Sequence, residues 1–223
     1  MMRFSSIKAL AAAAVLAMLA TGCAKPTQSY DYTAFKRSKP ASILVLPPVN
    51  KSPDVNATYG MLAQMTRPLA EAGYYVVPVA LVDETFKRNG VVNPDEMQSI
   101  GIDKLRQTYG ADAALYVEVE KYGSSYYVIG SEVTVVASAR LVDLRNGDVL
   151  WTHRASASSA EQNNNSGGGL IGMLVTAAVK QVMNTLSDRT FDYAGVASNR
   201  LVAQGQPDGM LYGPRSPRYV KEQ

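Results

Sequence analysis

The first 23 residues restrict this chain more than any other stretch. Arg3 and Lys8 form a short cationic start, and residues 9–20 are wholly apolar. This pattern is typical of an export signal, and the apolar run is shorter than the roughly 20 residues that a membrane span requires. Cys23, the only cysteine, follows closely. We therefore predict a signal peptide at residues 1–22 and a fold that no disulfide stabilises.

Residues 19–23 resemble the lipobox of bacterial lipoproteins, although Ala20 stands where that motif prefers a larger aliphatic residue. The resemblance implies that Cys23 is lipidated, rather than an ordinary buried thiol, and that acylated Cys23 holds the chain in the bilayer. Ala24 follows the cysteine. In such lipoproteins an aspartate at that place retains the protein in the inner membrane, so its absence favours the outer membrane and its periplasmic face.

Length and composition indicate one folded domain. The chain has 223 residues, of which 47% are hydrophobic, enough for a substantial core. The net charge of +3 falls to +1 when the two cations of the signal are removed. Nucleic-acid binding requires a concentrated basic stripe, so we predict no nucleic-acid partner.

The residue pattern divides the mature chain into three parts. We predict the lipidated cysteine and a polar tether at residues 23–40, an α/β domain at residues 41–193, and a flexible, Gly-, Pro- and Arg-rich tail at residues 194–223. The aromatic residues in the tether, Tyr32 among them, are expected to dock on the domain or on a neighbouring subunit.

The predicted fold class is α/β (α+β), with a mixed sheet and helices on its faces. Residues 42–46 form an apolar strand, residues 57–72 an amphipathic helix, and residues 74–79 a second strand, which together predict a parallel first half. Alternating patterns then predict three further strands, and Asn146-Gly147 between the last two is a strong hairpin signal. The second half of the sheet is therefore expected to be antiparallel.

Five stretches carry a resemblance to a known family: residues 19–23, 43–48 and 109–113, residues 143–147 with Trp151, and the Gly-rich entry to the last helix. They resemble the GNA1162-like lipoproteins, a family of unknown function. The resemblance implies a fold similar to the N-terminal domain of the translocation protein TolB and to lipoproteins beside the outer-membrane channels of curli and Pel export. It implies an oligomeric subunit or accessory of an envelope assembly, with an envelope protein as partner.

Residues 170–186 are predicted as a helix that is nearly apolar on all sides, and such a helix must be covered all round. In one interpretation the helix is buried in the core and packs only on the sheet. In the other, its outer side is also covered by a second subunit or by the bilayer surface. We favour burial in the core together with contact to a partner. The residues predicted at this interface are Leu170, Ile171, Leu174, Val175 and Ala178.

Three tyrosines flank a Gly-Ser-Ser sequence between two predicted strands: Tyr122, Tyr126 and Tyr127. On a mobile loop they would contact a protein or a glycan, because tyrosine is rigid and amphipathic. The equally weighted alternative is a hairpin packed by its own aromatic residues. The first interpretation leaves a second function open, a periplasmic binding module for a glycan or small molecule.

The sequence predicts neither an enzyme nor a cofactor or metal site. Residues 167–172 fit G-x-G-x-x-G, but a dinucleotide site needs a tight turn after a parallel strand, so we interpret them as a hinge. Glu118 and Glu120 alternate with apolar residues, which indicates a solvated strand face rather than an acid–base pair. His153 is a lone histidine beside Trp151 and makes a poor metal site.

Overall fold

A computed structural model describes residues 30–127, 130–162 and 186–219 of the protein. The described residues from Asp31 onward belong to one compact unit, in which helices pack on a six-stranded mixed sheet. The predicted fold class is therefore confirmed. In chain order the elements are α1 (Thr33–Ser38), β1 (Ser42–Val45), β2 (Val49–Asn50), α2 (Ala57–Glu71), β3 (Tyr75–Val76), α3 (Val79–Arg88), α4 (Pro94–Ser99), α5 (Ile102–Tyr109), β4 (Ala113–Tyr127), β5 (Gly130–Asp143), β6 (Val149–Ser158), a 3₁₀ turn (Ser159–Gln162) and α6 (Leu186–Leu201).

The sheet has the strand order β3-β1-β4-β5-β6, and the short β2 pairs with β4 beyond the end of β1. The pairs β1–β3, β1–β4 and β2–β4 are parallel, whereas β4–β5 and β5–β6 are antiparallel. The predicted division into a parallel and an antiparallel half is confirmed. It follows from the connections, because a parallel pair needs a crossover such as α2 and an antiparallel pair needs only a short turn.

The centre of the sheet is covered on both faces. Residues 43–46 are fully buried, as expected of a strand with helices on both sides. Leu44 faces an apolar cluster to which α3, α4 and α5 contribute. The buried residues of α2 include Met61, Met65 and Leu69, and their four-residue spacing forms one apolar stripe along the helix.

The hairpin between β5 and β6 is present, but its turn differs from the expected one. The Asp143 carbonyl accepts a hydrogen bond from Gly147 N–H, and Asp143 N–H donates to the Asp148 carbonyl. Gly147 has a φ of 82°, whereas Asn146 is not among the described residues with positive φ. The loop is therefore longer than a two-residue type I′ turn, and only its last residue requires glycine.

The tether prediction differs from the structure after residue 30. Residues 33–38 form α1, Phe35 is only 3% exposed, and the Tyr32 hydroxyl donates to the Gly209 carbonyl. Of the two expected docking places, the domain itself receives these aromatic side chains. The α1 sequence is too short to signal a stable helix by itself, so tertiary contacts decide its structure.

The flexible tail predicted from residue 194 is also corrected by the structure. Helix α6 continues to Leu201, with Ala194, Ala197 and Leu201 fully buried against α2, β5 and β6. The following residues have little regular structure, yet Gly213 N–H donates to the Ala72 carbonyl at 2.9 Å and Met210 is fully buried. Composition indicated the lack of regular structure here but could not reveal these tertiary hydrogen bonds.

Candidate functional site

Several of the predicted functional residues lie outside the described residues. These are Cys23, the G-x-G-x-x-G segment at residues 167–172, and the predicted interface residues Leu170, Ile171, Leu174, Val175 and Ala178. Lipidation and the helical interface therefore remain predictions. Within the described part of the chain, the helices fall short of the length and apolarity needed to cross a membrane.

The predicted tyrosine loop is part of two long strands. Residues 121–127 belong to β4 and pair with β5 up to the pair Tyr127–Gly130. The expectation of a loop at this place is wrong, because the Gly-Ser-Ser sequence that indicated a turn is held extended by the neighbouring strand. Gly123 has a φ of 130°, a conformation that glycine adopts within a strand without strain.

The outer part of this strand pair has no third strand beside it in the described residues. The pairing of β2 with β4 ends at Val119, and the pairing of β6 with β5 ends at Thr134. Residues 124–127 and 130–133, which we call the distal ribbon, pair only with each other. Isolated two-stranded ribbons are marginally stable in water, so this segment depends on whatever else covers it.

Tyr122 holds the base of the distal ribbon against α2. Its side chain is only 7% exposed, and a Cβ added to Gly60 of α2 would lie 2.1 Å from the Tyr122 hydroxyl oxygen. Burial raises the pKa of Tyr122, and the nearby Asp54 charge adds to that effect. For Tyr122 the structure therefore supports packing of the strand pair by its own aromatic residue. Tyr126 and Tyr127 belong to β4, but their side chains lie outside the described set.

The two glutamates of β4 do not form an acid–base pair. Glu120 sits at an irregularity in the β4–β5 register. Its carboxylate accepts three hydrogen bonds from Arg154, at 2.9 Å to Oε1 and at 3.1 and 2.7 Å to Oε2. The hydrogen bond from Arg154 lowers the pKa of Glu120. A general acid needs a raised pKa, and Glu118 remains exposed to solvent.

Trp151 and His153 lie side by side on β6, as predicted. Their rings stack with a centroid separation of 5.7 Å. Trp151 Nε1 donates to the Asp208 carbonyl at 2.9 Å, and His153 Nδ1 lies 3.4 Å from the Asp208 carboxylate. Among the described residues no group of three His, Cys, Asp or Glu side chains is placed to hold a metal ion. The stack attaches the C-terminal segment to the sheet.

A cluster of charged residues joins α1 to the β5–β6 turn, and sequence reasoning missed it. We call Arg37, Ser38, Asp143, Arg145 and Asp148 the clasp. Arg145 Nη2 donates to the Ser38 carbonyl at 2.6 Å and to Asp143 Oδ2 at 2.6 Å, while Arg37 pairs with Asp148 at 2.8 Å. These residues line an open depression of about 250 Å³ together with Ala34 and Asn146.

Asp143 of the clasp is nearly enclosed, with 2% of its surface exposed. Burial alone would raise the pKa of Asp143, but the hydrogen bonds from Arg145 and Ser38 outweigh it and hold the pKa below its usual range. The charged form is therefore the one that the fold favours. The clasp fixes α1 to the antiparallel end of the sheet.

A second, small cavity of about 20 Å³ lies between α1 and the C-terminal segment. We call it the terminal pocket, and it is lined by Phe35, Lys36, Lys39, Pro40, Leu211, Tyr212 and Tyr219. Its walls come from the two stretches that the sequence indicated as tether and tail. No local signal marks it, because the lining residues are more than 170 positions apart in the chain.

Comparisons with known proteins identify the family. The family model described as "Putative lipoprotein GNA1162-like" matches residues 30–215. A Neisseria meningitidis protein named "Putative lipoprotein NMB1124/NMB1162" is 50% identical over 214 residues, which are 96% of this chain and 97% of that protein. The crystal structure of lipoprotein GNA1162 from Neisseria meningitidis is 54% identical, with a TM-score of 0.53, over 66% of this chain and 100% of that one.

A more distant solved structure is the PelC dodecamer from Paraburkholderia phytofirmans, which is 14% identical with a TM-score of 0.46, over 78% of this chain and 91% of that one. The family match and the 50% identity along nearly the whole chain show that this protein belongs to the GNA1162-like lipoprotein family and is a membrane-anchored protein of the cell envelope.

Proposed function

We propose that this protein is an outer-membrane lipoprotein of the periplasm and an oligomeric structural or accessory component of an envelope export or assembly system. The anchor is lipid on Cys23, supported by the signal pattern before it and by the lipoprotein family to which the chain belongs. Ala24 directly after the cysteine favours sorting to the outer membrane.

The distal ribbon is the observation that carries an assembly role. Its two strands, residues 124–127 and 130–133, project beyond the last residues of β2 and β6 that pair with the sheet. A ribbon of this kind gains stability when a further strand or surface covers it. A second subunit or an envelope partner that contacts the ribbon would supply that cover.

Among the described residues, several side chains of types that often act in catalysis are engaged in contacts within the fold. This supports a function through protein contacts. Asp112 accepts hydrogen bonds from the N–H groups of Ala41 and Ser42 at the start of β1. Glu120 binds Arg154, and His153 lies beside Asp208 and Trp151. Each group is engaged in holding one part of the fold to another, so we propose that the protein is not an enzyme.

The oligomer is tested on the mature chain by native mass spectrometry and sedimentation. We expect a discrete oligomer, which Tyr126→Ser/Tyr127→Ser in the ribbon or Leu174→Glu in the predicted interface helix converts to folded, smaller species. Matched controls are Tyr75→Ser and Leu81→Glu, because Tyr75 is 47% and Leu81 58% exposed elsewhere on the surface. The controls should keep the full oligomer.

An unmodified chain that stays monomeric at all concentrations contradicts this proposal and favours the alternative, a binding module for a periplasmic glycan or small molecule. In that alternative Tyr122 is not an exposed contact residue, because its ring packs against α2. It depends on Tyr126 and Tyr127, and glycan-array binding that their substitution abolishes would support it.

A further inference from the structure

The start of α1 stays close to the membrane if the chain is anchored at Cys23, a premise taken from the proposed function. Eight residue steps lead from Cys23 to Asp31, where the compact unit begins. A fully extended chain spans at most about 3.5 Å per residue, so this connection reaches no farther than about 28 Å. The face of the fold that carries α1 and the terminal pocket therefore adjoins the point where the compact unit starts, within that reach of the anchor.

That face carries cations that the described residues leave without an acidic partner. Lys36 and Lys39 line the terminal pocket, are exposed, and form no ion pair within the described part of the chain. Arg218 donates to the Tyr212 hydroxyl at 2.7 Å and lies 5.6 Å from the centre of that ring. Arg215 lies 5.5 Å from the ring of Tyr75. The aromatic contacts orient both guanidinium groups, and neither forms an ion pair with an acidic side chain of the described residues.

Lys39 occupies a position that disfavours lysine. It ends α1 with φ 47° and ψ 55°, the left-handed conformation. Glycine is the residue that helices usually place there, because a Cβ in this conformation is strained. The surrounding structure holds Lys39 in this conformation, since its N–H donates to the Phe35 carbonyl at 2.9 Å and ends the helix.

We infer that the terminal pocket and its basic rim dock on the anionic phospholipid headgroups of the bilayer in which the protein is anchored. Lys36, Lys39 and Arg218 approach the lipid phosphates, since each basic residue near an anionic surface adds to binding. Tyr212 and Tyr219 lie at the headgroup level, where amphipathic rings are favoured. The acyl anchor and this surface are then two membrane signals on one face of the protein.

This docking also orients the rest of the molecule. Strand β4 begins beside the Asp112 carboxylate that binds Ala41 N–H, next to the pocket, and ends at Tyr127. Fourteen residue steps of about 3.3 Å place Tyr127, the last residue of β4, at most about 45 Å from that end. With the pocket docked on the headgroups, the distal ribbon lies at the opposite end of β4 from the docked surface.

The first test measures co-sedimentation with vesicles at low ionic strength, using the mature chain with Cys23→Ser so that no anchor contributes. Vesicles contain phosphatidylcholine alone or with phosphatidylglycerol. Binding is expected only with phosphatidylglycerol, and Lys36→Glu/Arg218→Glu should weaken it at least about tenfold. The control Lys51→Glu/Lys121→Glu makes the same charge change near Val119, toward the other end of β4, and should change binding less than about twofold.

Lys39→Gly separates a membrane role from a structural one. Relief of the left-handed strain should raise the melting temperature, while loss of the charge should weaken vesicle binding several-fold. A merely structural lysine would not show these opposite changes.

The complete lipidated chain is then placed in bilayer nanodiscs of the same two compositions. Amide exchange in α1 and residues 211–219 should be slower with phosphatidylglycerol, and exchange in the distal ribbon should be unchanged. Equal effects of the test and control variants on vesicles, or equal exchange with both lipids, would overturn the inference. The vesicle test does not use the Cys23 anchor and measures lipid binding rather than oligomer size, so a failure of the docking and a failure of the proposed assembly are distinguishable.

Discussion

The two ends of β4 are built in opposite ways. At its first residue, Ala113, the strand is surrounded: it pairs with β1 on one side and β5 on the other, and the clasp fixes α1 nearby to the β5–β6 turn. At its last residue, Tyr127, the described structure provides only β5 as a neighbour. Strand β4 thus pairs with two strands at its start and, within the described residues, with one strand at its end.

The contrast separates a fixed end of the fold, near Ala113, from a less supported end, near Tyr127. At the fixed end, α1 supplies a hydrogen bond from Arg145 to the Ser38 carbonyl and the ion pair between Arg37 and Asp148. Among the described residues, Tyr122 packs against Gly60 at the base of the distal ribbon, and Val133 N–H donates to Ser159 Oγ of the 3₁₀ turn at 3.0 Å. Local stability differs across a structure in this way, and binding segments come from its less stable parts.

The largest effect is expected from breaking the clasp with Arg145→Ala. The substitution leaves the buried Asp143 carboxylate without its partner and α1 without the bonds to Ser38, and should lower the free energy of unfolding by about 3 kcal/mol. Urea denaturation of the mature chain measures it. Arg154→Ala, which removes the exposed pair with Glu120, is the control and should cost less than about 1 kcal/mol. Similar losses for both variants would remove the distinction between the two ends.

A smaller effect is expected where the ribbon is held to α2. Gly60→Ala places a methyl group 2.1 Å from the Tyr122 hydroxyl oxygen and should cost about 2 kcal/mol by overpacking. Its distinguishing result is faster amide exchange in residues 121–127, with little change around the clasp. Gly60→Ala/Tyr122→Val removes the clash and should recover part of the loss, as a double-mutant cycle would show. Uniform destabilisation without recovery would mean that this contact is not local to the ribbon.

The smallest effect is a pH dependence at the fixed end. The pKa of Asp143 is below its usual range in the folded protein and about 3.9 when unfolded. Its contribution to stability is therefore complete above about pH 4 and is lost as the pH falls through the folded value. The stability difference between the unmodified protein and Asp143→Asn should shrink on acidification, as urea midpoints would report. A constant difference would show that the charge of Asp143 does not stabilise the clasp.

Features that depend on neighbouring residues were predictable. The apolar run at residues 43–46 indicated a central strand because both of its faces had to be buried. Asn146-Gly147 located the hairpin, although the turn needs a left-handed residue only at Gly147. Trp151 and His153 were placed correctly on one face because side chains two apart on a strand point the same way.

Features that depend on distant residues were missed. The Gly-Ser-Ser sequence after Tyr122 indicates a turn, but pairing with β5 outweighs that local preference. Phe35 lay in an expected tether, and its burial depends on contact with residues near Leu211. The clasp joins Ser38 to Arg145, which no spacing rule connects.

The sequence by itself determined the single cysteine at Cys23, the parallel and antiparallel halves of the sheet, and the family, because each depends on residue types over a short stretch. The export signal stays a prediction. Tertiary structure decided that the expected tether and tail form one face with the clasp and the terminal pocket, and that the expected loop is a ribbon. The physical reason is that polar and glycine-rich segments carry little local preference. Their conformation is set by the hydrogen bonds and burial that the rest of the fold offers them.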